Sequence, residues 1–307
     1  IVALVNYMNQ ILLALVALAN LIVAVTRALA CAIRINEVFR VNSSMKEGAE
    51  EKNTQESGKP RVVFDHVTFT YGGAQEASLT DISFSAMPGE TVGIIGGTGS
   101  GKSTLVNLIP RFYDATKGSV TVDGQDVKAY TFRLLREKIG VVPQKAVLFL
   151  GTIRSNLQWR KKDAKESELW KALQIAQAEE VVKKKQKGLD EKVETGGRNF
   201  SGGQRQRLTI ARALVGEPGI LILDDSASAL DFATDAALRR SIKESTGNAT
   251  VFLVSQRAAT VKNADQILVL DDGKLVGKGT HEELLKNCNV YKEICMSQFS
   301  SQEVAQL

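Results

Sequence analysis

The stretch TVGIIGGTGSGKST, residues 91–104, decides the fold of this chain. An apolar run at residues 92–95 is typical of a buried strand, and a glycine-rich turn follows it and ends in Lys-Ser-Thr. The turn has the spacing G-x-x-x-x-G-K-[ST], and its fixed positions are Gly96, Gly101, Lys102 and Ser103. The alternative is an ordinary glycine-rich turn with a chance lysine, but the preceding strand is the context that a phosphate-binding loop requires. We therefore predict a strand, a phosphate loop and a helix.

The chemistry of such a loop follows from its backbone. Glycines allow consecutive N–H groups to turn inward around an anion, and the helix that begins near Lys102 adds the positive end of its dipole. We expect Lys102 to reach the β- and γ-phosphates of a nucleotide, and the Ser103 hydroxyl to ligate Mg²⁺. The candidate nucleotide-binding residues of the loop are Gly96, Gly97, Thr98, Gly99, Ser100, Gly101, Lys102, Ser103 and Thr104.

The composition of the 307-residue chain restricts the classes of function without choosing one. The formal net charge is only +5. The lysine run at residues 183–185 is more typical of a solvated helix face than of a nucleic-acid-binding patch. The cysteines, Cys31, Cys288 and Cys295, have neither the C-x-x-C spacing nor the neighbouring histidines of a zinc site. We expect a reducing, cytoplasmic environment and no nucleic-acid partner.

Residues 1–25 are almost continuously apolar, and this run is long enough to cross a bilayer. Its polar breaks are Asn6, Asn9, Gln10 and Asn20. Such residues favour a helix that lies inside a bundle of membrane helices. The arginines that follow are Arg27, Arg34 and Arg40. By the positive-inside tendency they place the C-terminal side of the helix in the cytoplasm. The alternative is a buried helix of a soluble protein. We expect a membrane helix in a chain that is a fragment of a longer membrane protein.

The rest of the chain reads as a polar linker followed by a globular domain. Residues 42–60 are polar and charged, which predicts the linker. Strand patterns are present at residues 61–71, 82–86, 119–122, 220–223 and 250–254. A helical pattern covers residues 164–187, and Thr280-His281-Glu282-Glu283 has the form of a capping box that opens the last helix. The alternation of strands and helices predicts an α/β core with a mainly parallel sheet.

Two further stretches contain residue types that bind Mg²⁺ or phosphate. The apolar strand at residues 219–223 ends in Asp224, and open α/β sheets bind their ligands at the carboxyl ends of strands. We expect Asp224 to hold Mg²⁺ opposite Ser103. An aspartate at a strand end is common in α/β domains, so it indicates a metal site only because the phosphate loop is also present. In the stretch FSGGQRQR, residues 200–207, a Ser-Gly-Gly turn precedes a helical run. A hydroxyl and free N–H groups at a helix N-terminus form a second phosphate-binding surface.

With these motifs in this order, residues 61–298 resemble the nucleotide-binding domain of an ATP-binding-cassette (ABC) transporter. The resemblance implies the α/β fold of a P-loop NTPase. Such a domain has a parallel-sheet core, an antiparallel β subdomain and a helical signature subdomain, and here it is preceded by one long transmembrane and cytoplasmic helix. The N-terminal helix resembles the last membrane helix of an exporter whose membrane and nucleotide domains are fused. The expected parts are this helix at residues 1–41, the linker at 42–60, the ABC domain at 61–299 and a tail at 300–307.

The resemblance also implies roles for single residues. The signature Ser201-Gly202-Gly203-Gln204 would close over the ATP that a partner domain holds in a head-to-tail dimer. Tyr71 would stack on adenine, and Gln144 would touch Mg²⁺ and the membrane domain. Ser228-Ala229-Leu230-Asp231 would link the two sites. Taken alone, a tyrosine at a strand end is more often a packing residue and a glutamine is usually a surface amide, so the order and spacing of the motifs support these roles.

Two positions depart from the family pattern. Asp225 stands where the family has a glutamate that acts as the general base, and Gln256 stands where it has a histidine. Asp225 keeps the carboxylate but is one methylene shorter, and a misplacement of about 1 Å can cost on the order of a hundredfold in rate. Gln256 can donate a neutral hydrogen bond towards the γ-phosphate, but it cannot carry the charge of an imidazolium. We expect ATP binding to survive and hydrolysis to be slow, unless the local geometry compensates.

The sequence is therefore interpreted as one half of a heterodimeric ABC exporter of the multidrug or lipid type. Its expected cofactors are ATP and Mg²⁺, and its expected partners are a second half-transporter and the lipid bilayer. The expected location is a bacterial plasma membrane, with several membrane passes in the full-length protein and the nucleotide-binding domain in the cytoplasm. Three alternatives remain: a homodimeric exporter with two active sites, a regulatory module that binds ATP without turnover, and a soluble ABC ATPase that acts on DNA or the ribosome. The apolar N-terminus argues against the last.

Overall fold

A computed structural model describes residues 1–41, 45–49, 58–226 and 230–298. The chain divides into two units, Ile1–Lys46 and Glu47–Leu307. The helices of the described residues are α1 (Val2–Arg40), α2 (Lys102–Leu108), α3 (Phe132–Glu137), α4 (Ile153–Leu157), α5 (Glu166–Ile175), α6 (Glu179–Lys183), α7 (Gly202–Leu214), α8 (Phe232–Ser245), α9 (Ala258–Val261), α10 (His281–Asn287) and α11 (Asn289–Gln298). The strands are β1 (Val62–Phe69), β2 (Leu79–Ala86), β3 (Thr91–Ile95), β4 (Lys117–Val122), β5 (Gln125–Asp126), β6 (Ile139–Val142), β7 (Gly151–Thr152), β8 (Lys192–Val193), β9 (Ile220–Asp224), β10 (Thr250–Ser255), β11 (Gln266–Asp271) and β12 (Lys274–Gly279).

The first unit is a single helix, α1, over almost its whole length. The 39 residues of α1 extend for about 58 Å at 1.5 Å per residue, which is roughly twice the hydrocarbon thickness of a bilayer. Its most apolar window has a mean hydropathy of 2.3, and none of its residues is buried. Within the described part of the chain it is the one helix long and apolar enough to cross a membrane. The long N-terminal helix predicted from the sequence is confirmed.

In the second unit, a four-stranded antiparallel sheet has the order β2-β1-β4-β5. Buried side chains in β1 are separated by exposed or half-buried ones, as expected of a sheet with one face on the core. Phe64 of β1 lies opposite Phe84 of β2 and Val120 of β4. The rings of Phe64 and Phe84 stack with 4.6 Å between their centroids. The predicted antiparallel subdomain is present, and β4 and β5 form a hairpin within it.

The core of the second unit is a six-stranded sheet of order β12-β11-β3-β10-β9-β6, in which only β12 is antiparallel to its neighbour. Alternate residues of β10 enter two different hydrophobic clusters, with Val251 and Leu253 on one face and Phe252 and Val254 on the other. Because both faces are covered, the central strands are continuous apolar runs. The carboxyl ends of β3, β9 and β10 lie at one edge of the sheet, and this edge positions the site.

The predicted helical stretch at residues 164–187 is broken in the structure into α5 and α6. The break lies at Gln177, whose φ of 54° is left-handed. Its neighbours Ala176 and Ala178 are fully buried, and its carbonyl accepts a hydrogen bond of 2.7 Å from Arg207 Nη1 of α7. The turn thus joins α5 and α6 to the helix that follows the Ser-Gly-Gly signature. Local helical periodicity gave no sign of this long-range contact.

The C-terminal end contains the predicted capping box. Thr280 Oγ1 accepts from the Glu283 amide at 3.4 Å, and Glu283 Oε2 accepts from the Thr280 amide at 2.9 Å. The helix that this box opens, α10, is not the last helix, because α11 follows it directly. Tyr291 and Cys295 of α11 are fully buried, so α11 is anchored to the core.

Part of the predicted linker belongs to the second unit and contacts residues at the start of α3. The Gly48 amide donates to Tyr130 O at 3.1 Å, and Glu47 Oε1 accepts from the Phe132 amide, the first of α3, at 2.9 Å. A Cβ at Gly48 would lie 2.1 Å from Ala129 O, so only glycine allows this approach. Residues 42–44 and 50–57 of the predicted linker, and the predicted tail, lie outside the described residues.

Arg160 connects the C-terminal ends of α7 and α3. Its Nη1 donates to the carbonyls of Ala213 and Val215 at the end of α7, at 3.2 and 2.9 Å, and its Nη2 donates to Glu137 O at the end of α3, at 2.5 Å. Burial lowers the pKa of Arg160 to about 10. The guanidinium therefore satisfies carbonyls that two helix ends leave without intrahelical partners.

We predict that Arg160→Met lowers the thermal unfolding midpoint by roughly 5 °C, because hydrogen bonds to charged groups each contribute about 1.5–3 kcal/mol. Arg133→Met is the matched control. Arg133 is exposed and pairs only with Glu137 on the surface, so its loss should change the midpoint by about 1 °C or less. Equal midpoints for the two variants would contradict a structural role for Arg160. Differential scanning fluorimetry measures both.

Candidate nucleotide site

The loop between β3 and α2 has a backbone that only glycine permits at two of its turns. Gly99 and Gly101 have φ values of 83° and 93°, in the left-handed region. Gly96 approaches β11 so closely that a Cβ there would lie 2.1 Å from Leu270 O. By contrast, Gly97 and Gly99 face open space, with nothing within 4 Å of the position of a Cβ. The loop is therefore fixed at its base and open where an anion would approach.

Lys102 lies inside this loop. Its Nζ donates to Gly96 O at 2.9 Å, to Gly97 O at 2.5 Å and to Ser100 Oγ at 3.3 Å. The side chain is buried, and burial lowers its pKa below the ordinary value of a lysine. A cation that has lost hydration gains from an anionic neighbour. The geometry thus holds a positive charge where the phosphates of a nucleotide would contact the loop.

The residues predicted to ligate a metal lie together. Ser103 Oγ donates to Asp224 Oδ1 at 3.0 Å, and burial raises the pKa of the Asp224 carboxyl above its ordinary range. Among the described residues no cluster of three His, Cys, Asp or Glu side chains is present. A hydroxyl and one or two carboxylates, completed by phosphate oxygens, is the donor set that Mg²⁺ usually takes beside a nucleotide. Ser103 and Asp224 fit that ion.

Asp225 follows Asp224 at the end of β9 and has an unusual backbone. Its φ is 43°, which is left-handed, and its amide donates to Val254 O of β10 at 2.9 Å. Asp225 Oδ2 accepts from Gln144 Nε2 at 3.3 Å. The structure thus brings together Asp225, at the position of the family's general base, and Gln144, the predicted Mg²⁺ contact. Asp225 lines the cleft together with the predicted metal ligands, Ser103 and Asp224.

Gln256 follows β10 in the same way that Asp225 follows β9. It lines the same cleft as Lys102, Ser103 and Asp225. The preceding residue, Ser255, is buried, and its Oγ accepts from the Arg257 amide at 3.0 Å. Three parallel strands thus end at this edge of the sheet: the phosphate loop follows β3, Asp225 follows β9 and Gln256 follows β10.

Tyr71 also lines this cleft. Its hydroxyl is 3.1 Å from Thr104 Oγ1, a hydrogen-bond distance. Its ring meets those of Phe69 and Tyr113 edge to face, with centroid distances of 4.7 and 5.1 Å. The ring is half-buried and is held at a fixed angle by its neighbours. An aromatic ring in this position can stack on a planar base.

The cleft has a volume of about 450 Å³ and contains residues that the sequence did not single out. They are Ala77, Ser78, Val254, Ser255, Asp272 and Gly273. Asp272 and Gly273 form the turn of the β11–β12 hairpin, and Gly273 O accepts from the Thr80 amide at 2.8 Å. The Asp-Gly dipeptide is a recognisable hairpin signal. Its position beside the phosphate loop depends on the sheet order and has no local signal.

The signature residues do not line this cleft. Ser201 is the N-cap of α7, where its Oγ accepts from the Gln204 amide at 3.3 Å, and Gln204 Oε1 accepts from the Ser201 amide at 3.0 Å. Ser201 and Gly202 are exposed, Gly203 is half-buried, and nothing lies within 4 Å of a Cβ at Gly202. Within one chain the signature is a surface separate from the cleft.

The segment predicted to connect the two sites is described only in part. Ser228 and Ala229 lie outside the described residues. Asp231 is the N-cap of α8, where its carboxylate accepts from the amide and the hydroxyl of Thr234, both at 2.9 Å. These bonds lower the pKa of the Asp231 carboxyl. A connection between the sites through Asp231 stays a prediction.

Comparison with known proteins identifies this arrangement. The family model of the ABC transporter matches residues 79–228. The chain is 44% identical, over 99% of its length, to an uncharacterized ABC transporter ATP-binding protein of Mycobacterium tuberculosis, of which it covers 52%. The chain contains the ATP-binding domain of an ABC transporter. The ABC domain provides the phosphate loop, the strand-end aspartates and the signature in one fold, and the predicted fold class is confirmed.

Two other similarities connect the ABC domain to exporters. The chain is 41% identical to an ATP-dependent lipid A-core flippase of Haemophilus ducreyi, over 78% of this chain and 41% of the flippase. A solved structure of a bacterial Atm1-family ABC exporter with ATP bound superposes with a TM-score of 0.80 at 34% identity, over 88% of this chain and 47% of that one. The chain thus spans about half the length of the curated relatives it matches.

We predict that Lys102→Ala weakens Mg-ATP binding by tenfold to a hundredfold, because a charge-assisted hydrogen bond to a phosphate contributes about 1.5–3 kcal/mol. The matched control is Lys278→Ala, an exposed lysine of β12, whose loss should leave the affinity unchanged. Isothermal titration calorimetry with each purified variant measures the dissociation constants. Unchanged affinity in Lys102→Ala would rule out the assignment of this loop.

Proposed function

We propose that this chain is one subunit of a heterodimeric ABC exporter. Its own nucleotide site binds Mg-ATP and hydrolyses it slowly, and its signature completes the active site of a partner chain. The observation behind this proposal is an asymmetry within the ABC domain. Asp225 and Gln256 replace the expected glutamate and histidine in one cleft, whereas the signature is intact and lies outside that cleft.

The chain's own residues can bind and orient ATP. Lys102 and the loop amides would hold the β- and γ-phosphates, and Tyr71, which lines the same cleft, would stack on the adenine. Ser103, Asp224 and Gln144 would hold Mg²⁺, which when bound neutralises charge on the β- and γ-phosphate oxygens. None of these groups is altered from the family pattern, so the proposal keeps full nucleotide binding.

Hydrolysis needs two groups at the γ-phosphate that this chain has in weakened form. A general base must lie within hydrogen-bond reach of the attacking water. The Asp225 carboxylate is one methylene shorter than glutamate and also accepts from Gln144, which draws it towards the amide. Gln256 can hold the γ-phosphate by a neutral hydrogen bond only, and such a bond is about half as strong as a charge-assisted one. Both substitutions act on the same reaction step.

The exposed signature supports action in trans. In α7 the N-terminal amides of a 13-residue helix, the Ser201 hydroxyl and the uncovered Gly202 form a surface on which a phosphate can dock. The cleft that binds the chain's own nucleotide does not include them. A second ABC chain arranged head to tail would place its γ-phosphate against this surface.

The N-terminal helix and the exporter relatives support the membrane part of the proposal. A helix with the length and hydropathy of α1 fits a bilayer, and the arginines near its end support a cytoplasmic ABC domain by the positive-inside tendency. The exported substrate would be selected by membrane helices outside this sequence. A homodimeric exporter is the second candidate, because the Asp225 carboxylate is retained and could serve as a slower base in two equal sites.

We predict that Asp225→Glu combined with Gln256→His raises hydrolysis at this chain's own site at least tenfold in the assembled transporter. The measurement is single-turnover ATPase with the general base of the partner removed, so that only this site reports. Asp163→Glu, the same change at an exposed position far from the cleft, is the control. A rate that does not rise would show that another feature limits this site.

We also predict that Ser201→Arg abolishes steady-state ATPase in reconstituted membranes, whereas Asp225→Asn keeps most of it. The arginine would block the surface on which the partner's γ-phosphate docks, and Asp225 would be a base that contributes little to the cycle. Ser167→Arg, which adds the same cation at an exposed position of α5, is the control. In a homodimer both features serve every site. Complete loss of turnover in Asp225→Asn would therefore contradict the asymmetric assembly.

A further inference from the structure

The loop that presents Gln256 is held by a residue far along the chain. Gln298, the last residue of α11, donates from Nε2 to Gln256 O at 2.7 Å and accepts at Oε1 from the Ala258 amide at 2.8 Å. The two bonds of one side-chain amide thus enclose the peptide units on either side of Arg257. No nucleotide-site residue predicted from the sequence lies in α11.

The loop depends on side chains because it contains little regular structure. Helix α9 has only 4 residues, so the backbone groups between β10 and α9 have few intrahelical partners. Besides Gln298, Arg239 of α8 donates to Thr260 O at 2.6 Å and to Ala259 O at 3.3 Å. Arg239 therefore holds the α9 end of the segment, and Gln298 holds the end that contains Gln256.

Helix α11 is a firm support for this contact. Tyr291 and Cys295 are fully buried, and the Tyr291 hydroxyl lies 2.7 Å from His281 Nδ1 of α10. The side chain of Gln298 itself is exposed, so its truncation removes two hydrogen bonds and opens no cavity in the core. Its contribution is therefore directed at the loop and not at the packing of α11.

We propose that Gln298 is a positioning residue, which fixes the backbone at Gln256 so that the Gln256 amide faces the γ-phosphate of bound ATP. The proposal rests on the proposed function of Gln256 as a γ-phosphate contact. Gln298 does not line the nucleotide cleft. Gln298 therefore strengthens the binding only of nucleotides that have a γ-phosphate, and only while the Gln256 side chain is present.

The experiment compares the binding of a non-hydrolysable ATP analogue with the binding of ADP to the full-length chain in its assembled transporter. Gln298→Ala should weaken the ATP analogue about threefold to tenfold, the value of one misplaced neutral hydrogen bond, and leave ADP affinity unchanged. Ser297→Ala, which removes an exposed side chain bonded only within α11, should change neither. In a Gln256→Ala background, Gln298→Ala should have no further effect.

The possible results separate this inference from the proposed function. Equal weakening of both nucleotides, or an effect of Gln298→Ala that persists without the Gln256 side chain, would mean a merely structural role and overturn the inference. If Gln256→Ala lowers the preference for the ATP analogue and Gln298→Ala does not, only the inference fails. If Gln256→Ala leaves the preference unchanged, the γ-phosphate role of Gln256 fails, and the positioning role of Gln298 fails with it.

Discussion

The hydrogen bond of 3.0 Å from Ser103 Oγ to Asp224 Oδ1 joins two motifs that are far apart in the sequence, and the nucleotide site depends on it. It forms because β3 and β9 both run parallel to β10 and end at one edge of the sheet. A slip of one residue in either pairing would turn the strand-end side chains to the opposite face. The two hydrophobic clusters that cover the sheet therefore fix the site as well as the fold.

Under the proposed function, this edge of the sheet lets two substitutions weaken hydrolysis without weakening binding. In that proposal, binding depends on Lys102 at the start of α2 and on the loop that follows β3, whereas the reaction depends on residues that follow β9 and β10. Asp225 and Gln256 follow these two neighbouring strands and line the same cleft, so both changes would act on the same bound γ-phosphate. The signature belongs to α7, on a different part of the domain, and it can stay functional while the cleft loses turnover.

Much of this arrangement is predictable from the sequence, because its signals are local. The apolar strands, the glycine spacing of the phosphate loop and the capping box at Thr280 each depend on neighbouring residues. What could not be predicted depends on contacts between distant segments. The break at Gln177 is bonded to Arg207, the Asp272-Gly273 turn reaches the cleft through the sheet order, and Gln298 meets the Gln256 loop from the end of the chain. No periodicity or motif encodes such pairs.

The central claim is that this chain's own site retains ATP while the partner's site turns over. The most direct measurement is the identity of the nucleotide bound to this chain in the assembled transporter, assigned by photocrosslinking an azido-ATP probe during steady-state turnover and rapid quenching. The account predicts that intact triphosphate is crosslinked to this chain, with diphosphate on the partner. Diphosphate on this chain in the same proportion as on the partner would contradict it, because both sites would then hydrolyse equally.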